Sequence, residues 1–224
     1  MQMIGWWWSL DEHRQFAQWA DREAPGWVTT MFLHIPYGAT DVADVALPQG
    51  CARGAFVHIG YADQASPRDV YGHLGPVVAP VRLEQTVAAL RKHGVTGVMA
   101  YSEGVFDDAN KALLAALTSG MHATADEVLR AYALRYLTTR EADAAPWAAW
   151  LAAWGRSFAR DPAEAARTLQ PLQAAARRES DAPAEPRTRE GEPPGEPPPG
   201  PRSWRVRQWE LKTELFRLHR AIQA

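Results

Sequence analysis

Cysteine is nearly absent: Cys51 is the one thiol in 224 residues. A lone cysteine excludes an intrachain disulfide framework and a CxxC-type zinc site, and it reads as a buried or half-buried thiol rather than a nucleophile. Long apolar runs are missing too. No stretch approaches the roughly 18 apolar residues that cross a bilayer. The opening MQMIGWWWSLDEHRQF has neither a basic leader nor an apolar run before a small-residue cleavage site. We therefore expect no membrane partner and a cytoplasmic location. Excess charge is lacking as well: 24 basic against 26 acidic residues leave a net charge of −2, so bulk electrostatics gives no pull toward nucleic acid. No Walker A loop, GxGxxG turn, HExxH, GxSxG or EF-hand loop occurs. Nothing in the motif inventory asks for a cofactor.

What is present has an ordinary globular balance, 46% hydrophobic and 22% charged. Residues 4–8 (IGWWW) form a short aromatic run that reads as a strand, and its alternation sends Trp6 and Trp8 to one side and Trp7 to the other. Ser9 fits an N-cap with Glu12 completing a capping box, so a helix is expected from Leu10 to about Arg22. VTTMFLHIP (28–36) and AFVHIGY (55–61) read as buried strands, each followed by a long loop. VRLEQTVAALRKHG reads as a helix ending at Gly94, VTGVMAY as a strand, and FDDANKALLAALTSG as a helix ending at Gly120. Strands alternating with helices argue for an α/β architecture in residues 1–120.

After Gly120 the pattern turns helical. Thr124 caps ADEVLRAYALRYL, and PWAAWLAAWGRSFA carries Trp147, Trp150 and Trp154 on one face, the spacing of a helix–helix core. Asp161-Pro162 opens another helix, with Pro171 expected to kink or divide it. The helical region thus covers residues 121–179. Residues 180–202 are rich in Pro, Glu and Gly and read as a disordered linker. Residues 203–224 form a C-terminal helix. The chain also starts abruptly on a hydrophobic strand, which suggests a fragment or a shortened N-terminus.

Chemistry gathers at the strand ends, where parallel barrels place their functional residues. Those ends hold Trp8, His34 and Tyr37, His58, Tyr61 and Asp63, and Tyr101 with Glu103. Aromatic faces beside carboxylates suit sugar rings, whose hydroxyls pair with His, Asp and Tyr. Glu103 is the candidate acid, base or hydroxyl anchor. It equally fits a turn residue, and Asp107 and Asp108 are explained by starting the next helix.

The segments WWWS, FLHIPYG, FVHIGYAD and GVTGVMAYSEGVFDDANKALLA together resemble the C-terminal half of a (β/α)8-barrel protein related to glycoside hydrolases. The YSEG strand end followed by DDxNK looks like the last barrel strand and helix of bacterial carbohydrate-active proteins. The helical region from TADEVLRAYALRYL onward is similar to the α-glucuronidase and hexosaminidase-like groups. The resemblance implies a partial TIM-type barrel of about the last four strands, followed by helices, with a carbohydrate substrate. It implies Glu103 at the pocket, Tyr101 and Asn110 in support, and His34, Tyr37, His58, Tyr61 and Asp63 lining the earlier strand ends. Two features depart from the pattern: the first half of a barrel is missing, and no helix separates the strands ending near Tyr37 and Tyr61. Glycosidases use two carboxylates, and only Glu103 stands out. Two other readings remain open: a metal-dependent hydrolase with His34 and His58 as ligands, and a non-catalytic protein whose helices mediate assembly.

Overall fold

The computed structural model describes residues 1–36, 39–40, 42–59, 78–102, 108–155, 158, 161–181 and 202–223. Ser9 caps the first helix as its sequence predicts. Its hydroxyl accepts from the Glu12 N–H at 3.2 Å, and the Glu12 carboxylate accepts from the Ser9 N–H at 2.7 Å. That box fixes the start of α1 (Leu10–Glu23), and β1 (Gln2–Gly5) ends just before the tryptophans. The strand therefore holds none of the three tryptophans that the sequence reading placed in it, and Trp6 and Trp7 lie in a turn.

β2 (Thr30–Ile35), β3 (Ala52–His58) and β4 (Gly97–Tyr101) complete a sheet with strand order β1-β2-β3-β4, every neighbouring pair parallel. The chain is thus a mixed α/β protein with a four-stranded parallel sheet. Among the described residues between β2 and β3 there is no helix. Val42 and Val45 of that connection are buried in the core instead, and the Asp21 carboxylate accepts from the Gln49 N–H at 2.7 Å to hold it down.

The pleat divides the sheet into two faces. Met31, Leu33 and Ile35 of β2, with Ala55 and Val57 of β3, join the main apolar core. That core continues into α2 (Pro80–Lys92) and α3 (Asp108–Ser119) through Leu83, Val87, Leu90, Leu113 and Leu117. The alternate residues Phe32, His34, Phe56 and His58 point the other way. Gly54 sits opposite Phe32 in register, and a Cβ there would lie 2.7 Å from the ring. Its missing side chain is what lets the Phe32 ring lie across β3. The helix stops at Gly94 and Gly120 fall where the sequence puts them, with φ of 65° and 74°.

The C-terminal region holds α4 (Ala125–Tyr136), α5 (Glu141–Ala153), α6 (Pro162–Asp181) and α7 (Arg202–Gln223). The tryptophan stripe of α5 is core, as expected. Trp147, Trp150 and Trp154 are all buried, with Trp150 edge-on to Trp209 of α7 at 5.5 Å. Two boundaries differ from the sequence reading. α5 begins upstream of Pro146, where Glu179 of α6 accepts from Thr138 and Thr139 and fixes the entry. α6 runs unbroken across Pro171 and extends to Asp181, so the linker boundary at 180 moves, and residues 182–201 lie outside the described ones.

Asp108 ties these helices to the α/β part. It accepts from the Tyr132 hydroxyl of α4 at 2.5 Å and pairs with Arg205 at 3.1 Å and Lys212 at 2.9 Å on α7. Burial pushes this carboxyl up, but Lys212, the Tyr132 hydroxyl and Arg205 outweigh it and hold it below the usual carboxylate range. Asp108→Asn removes the charge facing the buried Lys212 ammonium and should cost about 3 kcal/mol in urea unfolding at neutral pH. A folded-state pKa below the unfolded one stabilises above the unfolded value, near 3.9, and the contribution fades as pH falls through the folded value. The gap between wild type and Asp108→Asn should therefore be full at pH 6 and close only under strongly acidic conditions.

Candidate functional site

Parity places the site. The motifs FLHI and FVHI are alike in sequence but not level in the sheet, because His34 pairs with Phe56 while His58 pairs with Tyr101 of β4. The offset is two residues, one full pleat, so both histidines stay on the same face. Their Nε2 atoms meet at 3.2 Å. At that distance one ring donates and the other accepts. His58 is fully buried and His34 half-buried, so the His34 ring is the outer member of the pair. Such a pair can pass a proton from a bound molecule inward along one hydrogen bond.

Rings surround the pair. Tyr101 lies 4.7 Å from His58, and Phe56 lies 5.3 Å from it. Trp6 reaches from the turn after β1 across the sheet, its centroid about equally far from His34 (6.2 Å), Phe56 (5.8 Å), His58 (5.9 Å) and Tyr101 (5.8 Å). Trp7 stands edge-on to His34 at 4.6 Å. Its φ of 60° is left-handed, a conformation costing a non-glycine residue on the order of 1 kcal/mol. The two indoles remain 45% and 53% exposed, so their faces are available to a ligand. Just below the cluster, the Arg82 guanidinium donates to the His58 and Ile59 carbonyls at 3.3 Å each, a cation at the carboxyl end of β3.

The sequence-predicted residues divide into three groups. His34, His58 and Tyr101 come together as expected. Trp8 and Asn110 do not join them. Trp8 packs on α1 against His13 at 5.3 Å and Phe16 at 5.2 Å, because the turn after Gly5 breaks the strand alternation. Burial holds the His13 imidazole below its usual value, although Glu12 opposes this. Asn110 is fully buried with its carboxamide engaged by backbone: Oδ1 accepts from the Ala79 N–H at 2.9 Å, and Nδ2 donates to the Ile59 carbonyl at 2.6 Å. Glu103, Tyr37, Tyr61 and Asp63 lie outside the described residues. Trp6, Trp7 and Phe56 also belong to the cluster, and the run of three tryptophans is the signal the sequence offers for two of them. Cys51 is half-buried, and burial pushes its thiol up, away from the reactive thiolate form.

No family model, curated protein or solved structure matches this chain. The functional reading therefore rests on the site. Among the described residues no group of three or more His, Cys, Asp or Glu side chains is placed to hold a metal ion. No described helix is long and apolar enough to cross a membrane.

Two outcomes test this geometry. Long-range ¹H–¹⁵N NMR of the imidazoles should find His34 and His58 with complementary roles at Nε2, one protonated and one not. Asn110→Ala strands two buried backbone groups and should lower stability by about 2 kcal/mol, while Asn110→Asp should fail to restore it because the donor to Ile59 is lost.

Proposed function

We propose that the sheet is part of a (β/α)8-type barrel and that the carboxyl ends of its strands carry the pocket of a carbohydrate-active hydrolase. One observation carries this reading: two half-exposed indoles, Trp6 and Trp7, flank a hydrogen-bonded histidine pair and Tyr101 where β2, β3 and β4 end. Indole faces stack on the C–H faces of a pyranose, and imidazole and phenol groups bond its hydroxyls. Glu103 follows β4 by two residues and is the carboxylate proposed to act on the glycosidic bond, with Asp63, after β3, as its candidate partner.

The histidine pair favours a second reading. Two imidazole ligands on a tetrahedral zinc, each at about 2.0–2.1 Å, hold their nitrogens roughly 3.3 Å apart. The 3.2 Å separation of His34 and His58 is close to that. A metal-dependent hydrolase would then need its remaining ligands from the segments after β3 and β4.

Titration with a panel of neutral and uronic-acid oligosaccharides, followed by tryptophan fluorescence, should show saturable quenching that Trp6→Ala abolishes. Glu103→Gln should keep binding and lose hydrolysis by a factor of about 10³ or more. Absence of both binding and turnover across the panel sinks the carbohydrate reading. Stoichiometric zinc on the purified protein, lost in His34→Ala and in chelator together with activity, moves the assignment to the metal-dependent class.

A further inference from the structure

Little anchors α1. Of its 14 residues only His13, Ala17 and Ala20 are buried, so His13 is the one buried side chain there larger than a methyl group. Other helices fill such positions with leucine, Leu83 and Leu90 on α2 and Leu113 and Leu117 on α3. His13 is 4% exposed, and its Nδ1 is buried with no hydrogen-bond partner among the described residues. The imidazole is packed as if it were an apolar ring. Its neighbours give that packing a consequence. A Cβ on Gly5, the last residue of β1, would lie 2.6 Å from His13 Cε1 and 3.0 Å from the Met31 methyl, so ring and strand meet without a gap. Trp8 stands edge-on to the same ring at 5.3 Å. Gly5 and Trp8 flank the turn that carries Trp6 and Trp7. Both ends of the pocket's aromatic wall therefore rest on one imidazole. Between them Trp7 holds a φ of 60°, a strain that release of the turn would relieve.

We propose that His13 is a proton-operated latch: charging its ring undocks α1 and lets the turn bearing Trp6 and Trp7 leave the histidine pair. A charged imidazole has two N–H groups to satisfy, and burial without acceptors is costly. Gly5 of β1, Met31 of β2 and Trp8 of the turn bring no charge to it. Among the described residues the charged group that acts on it is Glu12, its neighbour on α1. The Glu12 carboxylate is already committed, accepting from the Ser9 N–H at 2.7 Å and the Ser9 hydroxyl at 2.8 Å. Burial therefore prevails over Glu12 and holds the imidazole below its usual value. Neutral His13 stabilises the docked helix in full above the undocked value, near 6.5. That contribution is lost as pH falls from there through the docked value. Ser9 holds the Glu12 carboxyl below the usual carboxylate range, so the helix cap outlasts the latch. The latch acts on the wall whatever the pocket binds, and it stands or falls apart from the carbohydrate reading.

NMR titration of the ¹⁵N-labelled full chain from about pH 8 to about pH 4.5 tests the latch. The His13 midpoint should fall below 6.5, and the Trp8 indole signal should follow it while those of the buried Trp147 and Trp154 stay. Trp8 is the reporter because it packs on His13, whereas His34 lies against Trp6 and Trp7. Hydrogen exchange separates release from a mere change of charge. Corrected for intrinsic rates, the Ala17 and Ala20 amides should lose protection relative to Leu90 of α2, by about tenfold per pH unit between docked and undocked midpoints. His13→Leu keeps an apolar anchor without the proton site and should abolish both changes. A His13 midpoint at or above 6.5, unchanged relative protection of α1, or a transition that persists in His13→Leu overturns the proposal. The first two are read on the wild type, so they decide it even where the variant does not fold.

Discussion

The first turn of α3 holds the molecule together. Asp108 and Asn110 sit two residues apart and face opposite partners. Asn110 bonds the Ile59 carbonyl at the end of the sheet and the Ala79 N–H at the start of α2. Asp108 gathers Tyr132 of α4 and Arg205 and Lys212 of α7. One helical turn therefore fixes the α/β part, its second helix and the C-terminal helices against one another. Asn110, Tyr132 and Lys212 are buried and Asp108 and Arg205 half-buried, and a buried polar group that loses its partner costs more than the bond itself contributes. Moving α3 means breaking both sets of bonds together.

That constraint positions the candidate pocket. Arg82, two residues past the N-terminus of α2, reaches the His58 and Ile59 carbonyls, and Ile59 is the atom group that Asn110 also grips. The carboxyl end of β3 is thus held from two helices, and His58 is held with it. The opposite wall comes from a turn instead of a helix. Trp6 and Trp7 owe their place to the early end of β1 and to the left-handed φ at Trp7. A rigid floor and a strained, half-exposed aromatic wall suit a site that must hold chemistry still and admit a ligand.

Much of the fold was legible because its signals are local. Ser9 with Glu12 and Thr124 with Glu127 form the capping boxes their spacing predicts. Gly94 and Gly120 stop helices through positive φ, and α5's tryptophans are core. What sequence could not show is tertiary. Trp8 falls away from the pocket because a turn, invisible to alternation, follows Gly5. α5 starts before Pro146 because Glu179, forty residues on from Thr139, bonds its entry. Asn110 resembles a pocket residue by motif, yet its partners are backbone atoms from two distant segments. The meeting of His34 and His58 was half legible: the repeated FxHI motif showed the kinship, but only the two-residue offset in register brings the rings into one hydrogen bond.

The carboxamide of Asn110 has an evolutionary corollary. It grips the chain at Ile59 and again at Ala79, so everything inserted between those two points begins and ends at a clasp that the rest of the fold maintains. Lengthening a segment whose ends are already held costs only about 0.6 kcal/mol per doubling. The stretch between those two points is thus a place where selection can rewrite length and composition while the clasp that holds its ends is kept.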